Sequence, residues 1–235
     1  MGRAIVAGGA RASVPVTFPA NFMDATWEQI IDACQKNKVP DTWLVADQKA
    51  MTINGTDYLI DIIGKNHDTY SDGSGTAPLT FQMHYGYINK YAMNSSKTSS
   101  GGWISCDMRS TYLPAILALM DYEISSAVKE VIKYTSAGSQ SAIINTSNDK
   151  LFLLSEIEVN GSVQYSYSGE GMQYDYYAAG NDRAKRKVDE VSTSSWWLRS
   201  PRNVDVYGFC NVNPDGSCGN NPSVESKNIS FAFCF

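Results

Sequence analysis

Side chains that commonly carry catalysis or bind metals are sparse in this chain. It has five cysteines and two histidines, and His67 and His84 lie far apart in the sequence. No Cys-x-x-Cys pair occurs, and two scattered histidines favour neither a Ser-His-Asp set nor a structural zinc site. An odd number of cysteines leaves at least one thiol free, so a disulfide framework is not expected. These residues therefore favour a non-catalytic protein.

Cys210 and Cys218 are the two cysteines closest to each other. They flank the sequence Asn213-Pro214-Asp215-Gly216, which is a strong type I turn signal. If Gly216 takes the bulge position of a hairpin, Val212 pairs with Cys218, and the two cysteines do not face each other. A disulfide between them stays possible but is not favoured.

One loop carries residues that are reminiscent of a calcium site. Asp68, Asp72 and Gly73 lie in a polar, glycine-rich stretch from 66 to 76. Their spacing does not match the D-x-[DN]-x-[DN]-G pattern of calcium-binding loops. The sequence therefore predicts neither a metal nor another cofactor.

Charge and composition limit the possible partners. The chain of 235 residues has a net charge of −5, and only 18 % of its residues are charged. An acidic surface argues against nucleic acid and anionic membranes as partners. No apolar run approaches the length of a membrane span, which argues against membrane insertion, and the Ala4–Ala7 run is too short for a signal peptide.

The region from Ser194 to Phe235 contains the best candidate for a binding surface. It opens with the bulky block Ser194–Pro201 and closes with Asn228–Phe235, whose large rings alternate with small residues as in a half-buried strand. The intervening segment, Arg202–Lys227, is polar and turn-rich and contains Tyr207. A polar segment fixed at both ends by buried aromatic residues is suited to ligand binding, and an ordinary long surface loop is the alternative.

Hydrophobic periodicity and turn signals predict the first half of the domain. A helix begins after Thr26, which forms a capping box with Gln29, and it ends at Val39-Pro40. Strands are expected over 42–45, 49–53 and 57–63, with Asn54-Gly55 as the hairpin turn.

The second half is predicted to continue with two amphipathic helices. The first runs from the cap Asp107 to Met120, with its start placed closer to Pro114, and the second spans 121–132. A loop over 135–149, a doubly buried strand over 149–155 and a solvated basic run over 182–187 follow. The result is a single α+β domain over 24–235, preceded by an N-terminal arm or oligomer junction over 1–23.

Several of these segments resemble a known family. Gly101-Gly102-Trp103, Cys106–Arg109, Asp149–Ser155 and Trp196–Pro201 together resemble the bacterial and phage domain of C-type-lectin fold that ends in a W-W-x-R-S-P block and a short aromatic strand. Some members are the variable proteins of diversity-generating retroelements, whose C-terminal segment is rewritten by adenine-directed mutagenesis. The resemblance implies a C-type-lectin fold over 24–235, with few helices packed on short antiparallel strands and with long loops.

The resemblance also implies a variable region over 200–224. Its exchangeable, ligand-binding positions would be Arg202, Asn203, Asp205, Tyr207, Asn213, Asp215, Ser217, Asn220 and Asn221. Phe209, Cys210, Val212 and Gly216 would form the scaffold. Mutagenesis of AAC codons never produces Lys, Glu, Gln, Met or Trp, and none of these types occurs from Ser200 to Val224.

The function that follows is a ligand- or receptor-binding display protein. Its partner would be a protein or glycan receptor on a host or neighbouring cell surface, and its location a phage tail or a bacterial surface. A homo-oligomer through the N-terminal arm is a further expectation. The alternatives are a glycan-binding domain of fixed specificity and a formylglycine-generating type of oxidase, which needs a reactive cysteine pair near the C-terminus.

Overall fold

The computed structural model describes residues 17–235, which form a mixed α+β fold with antiparallel sheets. The helices are α1 (Trp27–Gln35), α2 (Leu113–Leu117), α3 (Tyr122–Ala127), α4 (Glu156–Asn160) and α5 (Asp175–Ala178). The strands are β1 (Gln48–Ile53), β2 (Thr56–Lys65), β3 (Leu79–Met83), β4 (Val131–Gly138), β5 (Ser141–Asp149), β6 (Trp196–Pro201), β7 (Gly208–Val212), β8 (Cys218–Pro222) and β9 (Ala232–Cys234). The predicted α+β class is confirmed. Most of the predicted N-terminal arm, residues 1–16, lies outside the described residues.

The first helix begins as predicted. The Thr26 hydroxyl accepts a hydrogen bond from the Gln29 N–H at 3.2 Å, and the Gln29 side chain accepts one from the Thr26 N–H at 2.9 Å. This capping box satisfies two N–H groups that the first helical turn leaves without partners. Just before it, Phe22 is fully buried against Trp43, so the chain already packs on the domain ahead of residue 24.

The largest sheet has four strands in the order β1-β2-β3-β9. Asn54 and Gly55 form the predicted hairpin turn, both with positive φ, and Ile53 pairs with Thr56. The predicted strand over 42–45 is wrong, because this segment makes two turns instead. Asp47 closes the second turn by accepting a hydrogen bond from the Leu44 N–H at 2.8 Å.

The C-terminal strand β9 is shorter and more deeply buried than predicted. It pairs with β3 on one side, and Phe152 and Lys129 form bridges to it on the other. It is therefore interior rather than half-exposed, and Ala232 and Cys234 are as buried as the rings of Phe233 and Phe235.

The helical region after Asp107 is interrupted. Residues Met108–Tyr112 form one π-helical turn, and the Asp107 side chain caps no helix but accepts a hydrogen bond from the Ser95 N–H. The predicted start near Pro114 agrees with α2. The predicted helix over 121–132 is wrong beyond Ala127, since Val131 and Ile132 belong to β4.

A two-stranded ribbon, β4–β5, replaces the loop predicted over 135–149. Gly138 pairs with Ser141, and the two residues between them, Ser139 and Gln140, both have positive φ. This is the backbone of a type I′ turn, which Asn-Gly usually signals and Ser-Gln does not. The ribbon was missed because its turn carries unusual residues.

The segment predicted as a doubly buried strand over 149–155 is buried from Leu151 to Ser155, but it is not a strand beyond Asp149, the last residue of β5. Leu151–Leu154 lie in the core, and the backbone pairs with Ala232 only at Phe152. The Leu154 carbonyl instead accepts a hydrogen bond from the Arg199 N–H at 2.8 Å. This extended segment therefore supports both β6 and β9.

Strand β6 is a buried anchor, as predicted. Trp196, Trp197 and Leu198 are fully buried, and each indole N–H donates to a backbone carbonyl, that of Arg183 and that of Tyr91 respectively. With β7 and β8 it forms the three-stranded sheet β6-β7-β8. Of the chain's five tryptophans, four are fully buried, and Trp27 is partly buried.

Arg199 joins β6 to a group of buried charges that we name the ionic cluster. Its members are Asp68, Lys133, Glu158, Glu170 and Arg199. Arg199 makes two hydrogen bonds to Glu158, and the Lys133 ammonium lies 3.0 Å from Glu158 and 2.7 Å from Asp68. Buried charges are tolerated only when paired in this way.

The two glutamates of the ionic cluster are shifted in opposite directions. Burial opposes ionisation of Glu158, but the charges of Arg199 and Lys133 outweigh it and lower its pKa to about 2. Burial dominates at Glu170 and raises its pKa to about 7, although the Ser136 N–H and the Ser200 hydroxyl bond to its carboxyl group.

The basic run 182–187 is not simply solvated, contrary to the prediction. Lys185 is buried and donates hydrogen bonds to the carbonyls of Met83 and His84, both at 2.9 Å. Its burial lowers its pKa to about 8. Among residues 17–235, no helix is long and apolar enough to cross a membrane.

Candidate ligand-binding face

The segment between β6 and β7, residues 202–207, is here named the display loop. Both of its ends are fixed by the backbone: Pro201 pairs with Phe209, and the Arg202 N–H donates to the Gly208 carbonyl at 3.1 Å. Gly208 cannot be replaced, because a Cβ atom there would lie 2.2 Å from the Asn221 carbonyl oxygen. The strand ends that hold the display loop therefore have little conformational freedom.

Four of the predicted binding residues form one hydrogen-bonded group. Arg202 donates to both oxygens of Asp205, at 2.7 and 2.5 Å, and to the Asn220 side chain at 2.9 Å. The Tyr207 N–H also donates to Asp205, at 2.8 Å. Partial burial opposes ionisation of Asp205, but the bonds from Arg202 and Tyr207 keep its pKa below its usual value. Asp205 thus closes the display loop as an ionised carboxylate.

Other segments pack around the display loop. The polar stretch 94–101 contacts it where the Ser99 N–H donates to the Val206 carbonyl at 2.8 Å. The Lys97 ammonium lies 5.2 Å from the centre of the Tyr207 ring, which is within cation–π range. Asn203 donates to the Ser166 carbonyl at 2.9 Å. The face is therefore built from distant parts of the sequence.

Exposed apolar side chains mark this face. Val204 is 56 % exposed, Tyr207 45 % and Val224 42 %. Sequence analysis selected Tyr207 but missed both valines and Lys97. The exposure of Val204 was missed because this residue lies in a tight loop, where no alternation of apolar and polar residues indicates which side chains face solvent. Nothing in the sequence indicates that Lys97 lies beside Tyr207.

The structure separates the predicted site residues into two groups. Asn213, Asp215 and Ser217 lie in the turn between β7 and β8, at the opposite end of the strands from the display loop. The distance along β7 from Tyr207 to Asn213 is about 20 Å at ~3.4 Å per residue. Arg202, Asn203, Asp205, Tyr207, Asn220 and Asn221 lie together at the display-loop end of the sheet.

The turn residues bond to one another. The Asn213 side chain donates to the Ser217 hydroxyl at 3.1 Å, and the Ser217 N–H donates to Asp215 at 3.0 Å. The Ser217 hydrogen bonds hold the pKa of Asp215 below its usual value. Gly216 has φ +81°, the left-handed conformation expected for it, and Val212 pairs with Cys218 as predicted.

Three of the four predicted scaffold residues are buried, and Gly216 is partly exposed. Phe209, Cys210 and Val212 are fully buried, and all five cysteines are free thiols. Burial raises the pKa of Cys210 and of Cys218, so both thiols stay protonated at neutral pH. No group of three or more His, Cys, Asp or Glu residues in the described part of the chain could hold a metal ion.

Comparison with protein families assigns this chain to a family. The model of a domain of unknown function, DUF6273, matches residues 79–234, more than half of the 235 residues. The chain belongs to the DUF6273 family. The DUF6273 match begins at the first residue of β3 and ends at the last residue of β9, so it contains all nine predicted binding residues. No curated protein and no solved structure matches the chain.

Proposed function

We propose that this DUF6273 protein is a non-catalytic ligand-binding display protein of C-type-lectin fold. The observation that carries the proposal is the display loop, which exposes Val204 and Tyr207 between two strand ends whose backbone is fixed. A rigid aromatic contact with adaptable polar neighbours is the chemistry of antibody-like binding surfaces. The binding surface consists of the display loop, Asn220, Asn221 and Lys97.

Contacts between the segments that resemble the C-type-lectin family support the proposed lectin fold. The Trp103 indole N–H donates to Asp149 at 2.9 Å, and Arg109 donates to the same carboxylate at 2.5 Å. Arg199 of the W-W-x-R-S-P block donates to the Leu153 carbonyl at 2.9 Å. Segments that carry the resemblance thus bind one another in the core, as residues that specify one fold would.

The partner in this proposal is a protein or glycan receptor on a host or neighbouring cell, reached from a phage tail or a bacterial surface. The proposed binding surface has both signs of charge, since Asp205 is paired with Arg202 and Lys97 is exposed. Several copies on one particle would raise the effective affinity of a weak contact. The ligand of this variant depends on the residues now present in its display loop.

Sequencing the gene's flanks tests whether the surface is diversified. We expect a reverse-transcriptase gene and a near-copy of the codons for residues 194–235 that differs only at adenines. The differing codons should include those of Arg202, Asp205 and Tyr207 and should spare those of Phe209 and Val212. A locus with neither feature would refute diversification and leave a domain with a fixed ligand.

A display library tests binding directly. Positions 203–207 are randomised, and the library is selected on immobilised streptavidin. The matched control library randomises residues 213–217, which form an exposed turn on the same sheet. Enrichment of folded binders from the first library at least tenfold above the second supports the proposed surface. Equal enrichment from both would contradict it.

The oxidase alternative receives no support from the thiols. Cys210 pairs with Asn220 rather than with Cys218, and burial keeps its thiol protonated. A thiol-dependent oxidase needs a reactive thiolate, which forms where the thiol pKa is lowered. The two cysteines of this sheet are instead scaffold residues.

A further inference from the structure

A concave site lies away from the display loop. It is a cavity of about 300 Å³ between the loop at His67–Thr69, residues 132–134 of β4 and the segment Gly169–Met172. None of the display-loop residues lines it. A cavity of this size, with a few polar groups converging on it, is the usual form of a small-molecule site.

The floor of the cavity is charged but internally balanced. Asp68, Lys133 and Glu158 form it, and Arg199 bonds to Glu158 from beneath. Two cations thus face two carboxylates. The Lys133 ammonium has three partners, Asp68, Glu158 and the Tyr174 hydroxyl at 3.1 Å, so it has no donor left for a ligand. The floor therefore favours neither an anion nor a cation.

The walls of the cavity, unlike its floor, carry side chains that are free to form hydrogen bonds with a ligand. Within residues 17–235, the side chains of His67, Thr69 and Tyr134 make no hydrogen bond to the protein, although all three line the cavity. His67 stacks on Tyr174 with ring centres 3.9 Å apart, which fixes the imidazole plane. Two hydroxyl groups and an imidazole can both donate and accept hydrogen bonds.

The rim supplies apolar surface. Met172 is 71 % exposed, and Tyr134 is also exposed, so a flexible thioether and a flat ring border the opening. Gly171 has φ +125°, and a Cβ atom there would lie 2.7 Å from the Glu158 carboxylate. A glycine at this position lets the backbone of the 169–172 segment approach the floor closely.

We propose that this cavity binds one neutral sugar unit of a glycan without calcium. A sugar ring offers hydroxyl groups for Thr69, Tyr134 and His67 and an apolar C–H face for the Tyr134 ring. It carries no charge, in keeping with the balanced floor. The site is independent of the display loop, and its ligand does not change when that loop changes.

NMR titration of the full chain tests this site. The probes are the methyl glycosides of glucose, galactose, mannose and N-acetylglucosamine, with EDTA present throughout, and glucuronic acid and glucosamine serve as charged counterparts. We expect at least one neutral glycoside to bind with Kd of about 1 mM and to shift the amide signals of His67, Thr69 and Gly169–Met172. Tyr134→Ala should weaken binding at least tenfold.

Two control variants locate the effect. Ile143→Ala alters an exposed apolar residue on the same ribbon that does not line the cavity, and Tyr207→Ala alters the display loop. Both should leave the sugar affinity unchanged, and all variants should retain the parent melting temperature. The proposal is overturned if no neutral glycoside shifts these signals, if the charged sugars bind equally well, or if Ile143→Ala weakens binding as much as Tyr134→Ala.

Discussion

Two arginines three residues apart have opposite roles. Arg199 on β6 is fully buried and bonds to Glu158, Leu153 and the Glu170 carbonyl. Arg202 begins the display loop and is only 8 % exposed, but it bonds to Asp205 and Asn220, which are both partly exposed. The same type of side chain therefore holds the core together at one position and holds the display loop in shape at the other.

The comparison also places the boundary between scaffold and surface. Ser200 belongs to the scaffold, because it is fully buried, accepts a hydrogen bond from the Glu156 N–H at 2.8 Å and bonds to Glu170. A replacement there would leave buried polar groups without partners. Ser200 therefore does not belong to the proposed variable segment, although it lies within the region 200–224 that the resemblance implies; the first exchangeable position in that region is Arg202.

The largest effect is expected from Glu158→Gln. This change leaves the buried charges of Arg199 and Lys133 without their shared carboxylate, which should reduce the unfolding free energy by about 3–5 kcal/mol. Urea unfolding at pH 7 measures it. The matched control is Glu190→Gln, which removes a surface partner of Lys90 and should cost less than about 0.5 kcal/mol. A similar loss of unfolding free energy in both variants would show that the buried ion pairs stabilise the protein no more than the surface pair does.

A pH-dependent effect of about 3 kcal/mol is expected from Glu170→Gln. The pKa of Glu170 rises from 4.5 to about 7 on folding, so the unfolded chain binds fewer protons between these values and stability falls as the pH rises. Glutamine is never charged and escapes this penalty. The variant should match the parent below pH 4.5 and exceed it by about 3 kcal/mol at pH 8, since each pKa unit corresponds to about 1.4 kcal/mol.

Urea unfolding of both proteins from pH 4 to pH 8 measures this difference. Contributions from other titrating groups cancel in the comparison, including that of Glu158, whose stabilisation is lost only as the pH falls from 4.5 towards 2. A difference that stays constant across the range would show that Glu170 does not ionise differently in the folded protein.

The smallest effect is expected in the display loop. Arg202→Ala and Asp205→Ala should each lower the unfolding free energy by about 1 kcal/mol, because the pair is partly solvated. A double-mutant cycle measured by urea unfolding isolates the coupling between them, which we expect to be below about 1 kcal/mol. A coupling as large as the loss in Glu158→Gln would make this pair part of the scaffold.

Local signals in the sequence predicted the elements that depend on local chemistry. The Thr26 capping box, the Asn54-Gly55 turn and the pairing of Val212 with Cys218 all follow from residues close together in the chain. The α+β class followed from the same signals. Each depends on hydrogen bonds or backbone angles within a few residues.

Elements that depend on distant contacts were missed or misassigned. The apolar spacing of Val128, Val131 and Ile132 suits a helix, but β4 pairs with β5 and buries Val131 in the core. The burial of Lys185 depends on carbonyls of Met83 and His84, about a hundred residues away. Such tertiary contacts override local pattern, and a single sequence does not show them.

The candidate site was predicted in part for the same reason. Composition identified the polar segment 202–227, but it gave no indication that β7 would hold Asn213, Asp215 and Ser217 away from Tyr207. Nor did it indicate that Lys97 would lie beside Tyr207. Selecting positions by residue type found the segment, and only strand register divided it into two surfaces.

The placement of the tryptophans decides which optical signals this protein can give. Four of the five indoles are fully buried in the scaffold, and none lies in the display loop. Intrinsic tryptophan emission will therefore report unfolding strongly and binding at the proposed surface weakly. Cys218, the one cysteine that is not buried, lies on the same sheet at the end opposite Tyr207, so a fluorescent probe attached there would leave the proposed binding surface free.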